Sequence, residues 1–201
     1  MSKGDIYARL DALPPAAWDA PIYRQASRAY GPGQVLNGEG AREAGGRWNP
    51  PGSFRTVYAS VDTETVAAEF LFSIGPGRDP IALSARRFMW QARAHVDNLV
   101  DLRTKGHQRA LGLPVPFDET ALPVPFDETA PRVLCQQLGA AAYYVRYKGI
   151  LAPSAARPGA VNVVLFPDYL ETDNILELSM ESWPRPLQDF LSAASLEESG
   201  Q

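Results

Sequence analysis

The sequence predicts one domain that mixes helices with strands, and three observations support this. Its 201 residues suffice for one sizeable core and fall short of two comfortable ones. Apolar residues at helical spacing alternate along the chain with short runs rich in β-branched and aromatic residues. Gly and Pro clusters punctuate the junctions between them. With 45% hydrophobic and 21% charged residues, the composition is that of an ordinary globular protein, and no apolar run reaches the roughly 20 residues of a membrane helix.

Taken in order, residues 6–13 form a short amphipathic helix stopped by Pro14-Pro15, and 21–26 a first strand that carries Arg24. Residues 30–46 are Gly-rich and without period, hence loop. Gly45-Gly46-Arg47-Trp48-Asn49-Pro50-Pro51-Gly52 is a stiff loop that presents Arg47 and Trp48. Strand 56–60 presents Tyr58. Asp62-Thr63-Glu64-Thr65 has N-cap chemistry and opens a helix over 63–72, with Val66, Ala67, Phe70 and Leu71 on its apolar face and Glu69 among them; Ile74-Gly75-Pro76-Gly77 ends it.

Strands follow at 80–83, 88–94 and 98–102, then a helix at 104–111. Leu113 to Ala121 is repeated without change as Leu122 to Ala130. Prolines at alternate positions forbid a helix or an interior strand there, so 113–130 reads as a duplicated surface-loop insertion. A helix over 131–144 and strands at 145–151 and 162–166 complete the pattern, with Ser154 on the loop between the strands. Residues 185–201 read as a polar C-terminal tail.

Several function classes are argued against. A net charge of -4 is wrong for a general nucleic-acid binder. The single cysteine, Cys135, allows no intrachain disulfide and no multi-cysteine metal site, and with only His95 and His107 a zinc hydrolase or a Ser-His-Asp triad lacks its parts. Neither the Rossmann nor the P-loop glycine pattern occurs. No secretory signal pattern opens the chain, so a cytoplasmic location is expected.

What is present is a set: Arg47 and Trp48 on a stiff loop, Tyr58 on a strand, Glu69 on a helix between apolar neighbours, and Ser154 on a turn. A carboxylate in such surroundings either faces water or has a partner. From residue types alone the set supports a phosphate or nucleotide pocket, and equally packed aromatics with solvated charges.

At these positions the chain resembles the RES domain, the toxin of RES-Xre toxin–antitoxin systems. The resemblance runs through Tyr23-Arg24, Gly46-Arg47-Trp48-Asn49-Pro50-Pro51-Gly52, Val57-Tyr58-Ala59, Glu69, Pro153-Ser154-Ala155 and Asn162-Val163-Val164-Leu165-Phe166, roughly residues 20 to 170 of a single domain over 1–201. It implies an α+β fold of the ADP-ribosyltransferase (diphtheria-toxin) type, with a mixed, mainly antiparallel β core flanked by helices. It also implies a toxin that degrades NAD+ as its substrate, without a metal, by breaking the nicotinamide–ribose bond with water or phosphate as acceptor.

Under the resemblance, Arg47, Tyr58, Glu69 and Ser154 are catalytic, and Arg24, Arg47, Trp48, Tyr58 and Ser154 contact NAD+. The arginines would hold the pyrophosphate and Ser154 would donate to the carboxamide or an incoming phosphate. The implied partner is an Xre-family helix-turn-helix antitoxin that blocks the cleft. A homodimer is allowed; a membrane or direct nucleic-acid partner is not expected. Two alternatives stand beside this reading: a mono-ADP-ribosyltransferase acting on a protein, and a non-catalytic nucleotide- or partner-binding domain.

Overall fold

The computed structural model describes residues 3–74, 78–113, 115 and 130–181. Most of the duplicated 113–130 segment and all of the 185–201 tail therefore lie outside the described residues. The elements in chain order are α1 (Lys3–Asp11), β1 (Ala16–Ser27), α2 (Pro32–Val35), α3 (Glu39–Ala44), β2 (Val57–Ser60), α4 (Thr63–Ile74), α5 (Pro80–Ser84), β3 (Arg87–Asp101), α6 (Lys105–Ala110), α7 (Ala130–Tyr144), β4 (Gly149–Pro153), β5 (Val161–Leu165) and β6 (Ile175–Glu181).

The six strands form one sheet in the order β1-β2-β5-β4-β3-β6, antiparallel except for β3 with β4. This is the mixed, mainly antiparallel α+β architecture expected. The sheet also closes on itself: β1 pairs with β3 from Ala16↔Leu99 to Ser27↔Arg87, yet meets β2 at the single pair Tyr23↔Ser60. The ring of strands is thus thinly joined between β1 and β2.

Central strands β4 and β5 bury both faces, which explains their nearly unbroken apolar text. Ile150, Ala152 and Val164 pack with Phe166 against α1 and α7, together with Leu10, Leu138 and Ala142. Leu151, Val163 and Leu165 turn the other way, onto Ile22, Ala94, Val96 and Leu99 of β1 and β3. Two cores therefore share one sheet, and the period of two along each strand decides which core a residue joins.

Four expectations are corrected. Residues 80–84 are helix α5, not strand: the Asp79 carboxylate accepts a hydrogen bond from Ala82 N at 3.3 Å, as an N-cap does. The strands expected at 88–94 and 98–102 are one strand, β3. Buried Ala92, Ala94 and Val96 alternate with exposed Arg93, His95 and Asp97, and that alternation runs through the polar stretch read as a break. The loop at 30–46 contains the short helices α2 and α3. Strand β6, unforeseen, pairs with β3 from Met89↔Glu181 to Ala94↔Ile175.

Candidate active site

Where β1 and β2 are joined by their single pair, a cavity of about 310 Å³ opens, within the range of small-molecule sites. Its walls come from β1, the loop after α3, β2, α4 and β5. Five of the residues singled out in the sequence, Arg24, Arg47, Trp48, Tyr58 and Glu69, line it together with Tyr23, Ser60, Phe70 and Asn162.

The loop wall is held by polar bonds that its sequence supplies. Asn49 Nδ2 donates to Ala41 O at 2.7 Å, Gly46 N donates to Asn49 O at 2.8 Å, and Gln136 of α7 donates to Gly46 O at 2.9 Å. The Tyr58 hydroxyl donates to Asn49 Oδ1 at 2.7 Å and accepts from Trp48 N at 2.9 Å. Burial pushes the Tyr58 phenol well above its ordinary value, against the opposing pull of the Trp48 and Asn49 backbone and of the Arg47 and Arg132 charges. It therefore stays neutral and serves as a hydrogen-bonding post.

Close approach explains two glycines. A Cβ on Gly46 would lie 2.3 Å from the Tyr58 hydroxyl, and one on Gly139 of α7 would lie 1.8 Å from the Trp48 carbonyl oxygen. Helix α7 thus supports the loop backbone directly, while Trp48, 2% exposed, packs into the core shared with α1 and α7. Gly139→Ala is expected to destabilise the fold by about 1–3 kcal/mol through overpacking, measured as a lower chemical denaturation midpoint.

On the β1 wall Arg24 is largely desolvated. Its Nε and Nη1 atoms are sealed from water and have no hydrogen-bond partner among the described residues. Burial, with a smaller contribution from the Arg87 charge, lowers its pKa from the ordinary arginine range to about 10, partly offset by Tyr30. Arg24 thus gives this wall of the cavity a positive charge, while its two unpartnered donors lie sealed beneath the cavity surface.

Glu69, just past the middle of α4, lines the same cavity. Its Oε1 accepts from Ser154 Oγ at 2.6 Å and from Asn162 Nδ2 at 2.6 Å. Asn162 is oriented in turn by Ser60, whose hydroxyl donates to Asn162 Oδ1 at 2.8 Å. One carboxylate oxygen is therefore fixed by two donors, and Oε2 carries no hydrogen bond among the described residues.

Ser154 does not line the cavity. Its hydroxyl donates to Glu69 and accepts from Ala156 N at 3.2 Å and Arg157 N at 3.1 Å, which uses its one donor and both acceptor positions. This geometry differs from the expectation that Ser154 donates to a substrate group. Asn162, by contrast, stands out in the sequence only as part of a strand. Its signal was a polar side chain in the apolar run 161–166 of a strand buried on both faces.

Among the described residues no group of three His, Cys, Asp or Glu side chains could hold a metal ion, and no helix is long and apolar enough to cross a membrane.

The chain is 28% identical over 165 residues to the NAD(+) phosphorylase MbcT of Mycobacterium tuberculosis and of Mycobacterium bovis, which is 78% of this chain and 78% of each relative. The crystal structure of the M. tuberculosis MbcT-MbcA toxin-antitoxin complex has the same fold, with a TM-score of 0.71 at 22% identity over 94% of this chain and 97% of that one. The model of the RES domain matches residues 17–187. Since that match runs from the start of β1 to beyond β6 and takes in every wall of the cavity, the chain belongs to the RES domain family.

Proposed function

We propose that this chain breaks the nicotinamide–ribose bond of NAD+ in the cavity between β1 and β2, with phosphate or water taking the ribose. The observation that carries this is the Glu69 carboxylate: Oε1 is pinned by Ser154 and Asn162 while Oε2 is left open, on a cavity that the Arg24 guanidinium also lines. The resemblance to NAD(+) phosphorylases supports the same substrate.

In this reading the NAD+ pyrophosphate occupies the anion position offered by Arg24, with Arg47 on the facing loop adding a second positive charge. The bond between ribose C1 and the nicotinamide nitrogen breaks, and its electron pair goes to the ring nitrogen, so nicotinamide leaves neutral and no general acid is required. Positive charge spreads over C1 and the ring oxygen, and the open Glu69 oxygen stabilises it and holds a ribose hydroxyl. A phosphate oxygen attacking C1 gives ADP-ribose 1-phosphate; water gives ADP-ribose and a proton. Tyr58, which lines the cavity, offers the ring an aromatic surface, and an aromatic face attracts the cationic pyridinium; Trp48 anchors the loop from the core.

Ser154 acts through Glu69 and not on the substrate. Ser154→Ala should therefore lower kcat by about ten-fold or more with little change in KM, because the carboxylate loses one of two anchors while the substrate loses no contact. Steady-state kinetics of nicotinamide release check this split.

The cellular role proposed is that of a toxin in a single-domain chain, held in check by an Xre-type helix-turn-helix antitoxin over the cavity mouth, with a homodimer allowed. The test of the activity is purified chain, free of any antitoxin, incubated with NAD+ with and without phosphate. Release of nicotinamide with a phosphate-dependent sugar phosphate supports the proposal. Release of none under either condition contradicts it, and label transferred from NAD+ to a protein would reassign the acceptor.

A further inference from the structure

The Ser154–Glu69 hydrogen bond joins two elements far apart in sequence, the loop 154–160 and helix α4, and a second connection joins the same two elements. Asp62 caps α4: its Oδ1 accepts from Thr65 N and from Thr65 Oγ1, both at 2.7 Å. Arg157, on the serine loop, reaches across to that cap. Its Nη1 lies 2.9 Å from each Asp62 oxygen and 3.0 Å from Thr65 Oγ1.

Arg157 has a second hold on the site, through its backbone. Its N–H donates to the Ser154 hydroxyl at 3.1 Å, in the pattern that leaves that hydroxyl only Glu69 to donate to. One residue therefore both aims the serine and fastens the serine's loop to the first turn of the helix bearing Glu69, about two turns upstream of it.

Resting on the function proposed above, we propose that Asp62 and Arg157 form a latch that fixes the Ser154–Glu69 register, making both of them positioning residues for the reaction. The Arg157 and Asp62 side chains are 44% and 39% exposed, so as a source of stability the ion pair is minor. Its effect lies in geometry. Glu69 acts only if its open oxygen sits correctly at the sugar, and small displacements of a reacting group slow a reaction far more than they weaken a fold.

The variants that test this leave the rest of the site alone. Asp62→Asn keeps an N-cap acceptor, since Asn caps as well as Asp, and removes the charge. Arg157→Gln removes the guanidinium and keeps the backbone donor. Both should fold, with a melting temperature lowered by no more than about 4 °C. Each should lower kcat for nicotinamide release by about ten-fold with KM unchanged, and the double variant should be no slower than either single one. Arg157→Lys, which retains a charge but not the fork, should recover part of the rate.

A readout independent of turnover accompanies the kinetics. Amide hydrogen exchange at Ala156 and Arg157, whose N–H groups are held by Ser154, should quicken by about ten-fold in Asp62→Asn and Arg157→Gln. Unchanged exchange in both variants, or kinetic losses that add in the double variant, would overturn the latch. If the native chain releases no nicotinamide, the proposed function fails, and the exchange experiment still decides the latch by itself.

Discussion

Glu69→Gln is expected to suppress nicotinamide release by about 10²–10³-fold while leaving the fold intact. The amide has the carboxylate's shape, and its oxygen can keep accepting from Ser154 Oγ and Asn162 Nδ2 at the 2.6 Å positions now occupied by Oε1. What is lost is the charge on the free side, where an NH₂ would replace Oε2 and present donors to an electron-deficient sugar. The loss should fall on kcat, since the charge matters most when the sugar becomes cationic. Single-turnover kinetics with a parallel thermal melt separate this from unfolding. A rate within a few-fold of the native one would remove Glu69 from the chemistry.

Arg24→Met is expected to move stability and binding in opposite directions. The guanidinium's pKa is lowered to about 10 because its charged form is poorly solvated in the fold. For a cation this sign means a penalty, not a gain: the folded state is destabilised at every pH below about 10, and the penalty fades only as the pH rises through that value. An apolar side chain of similar length removes the penalty, so the free protein should gain about 1–3 kcal/mol at neutral pH. The affinity for NAD+ should fall at the same time, by roughly 10-fold or more, because hydrogen bonds to a charged partner contribute about 1.5–3 kcal/mol. Denaturant titration and binding calorimetry on the same variant measure both. A loss of stability together with unchanged affinity would show that Arg24 is a structural residue.

Opposite movements of stability and affinity would mark Arg24 as a binding residue. A chain selected for stability alone would not leave two guanidinium nitrogens sealed from water without partners among the described residues, when a methionine or leucine would fill the same space.

Much of this arrangement was legible in the sequence, for reasons that differ by element. Helix α4 showed itself through the Asp62 cap and the spacing of Val66, Ala67 and Phe70, which are buried as expected. Strands β4 and β5 showed themselves through apolar runs too short for helices. The loop 45–52 was conspicuous because its glycines and prolines have local causes, Gly46 lying where Tyr58 leaves no room for a side chain. The motif residues on it pointed to a pocket, and five of the six candidates do line one.

What the sequence hid was set by long-range contact. Strand β3 looked broken because its middle alternates between buried alanines and exposed charges, a pattern that makes sense only with β1 and β6 on either side. Asn162 looked like one polar residue in a strand until β5 brought it to Glu69, 93 positions away. The role of Ser154 was legible as a serine in a turn, but its valences are counted only once Ala156, Arg157 and Glu69 surround it. The pairing of Arg157 with Asp62, 95 positions apart, has no local signal at all.

The most direct test of the central claim is a crystal structure of the Glu69→Gln variant with NAD+ bound, since the slowed variant should hold uncleaved substrate. The account predicts the pyrophosphate against the Arg24 guanidinium and the nicotinamide-bearing ribose carbon beside the side-chain amide at position 69, in the cavity between β1 and β2. NAD+ bound elsewhere on the molecule, or bound there with its pyrophosphate away from Arg24 and its ribose away from position 69, would contradict it.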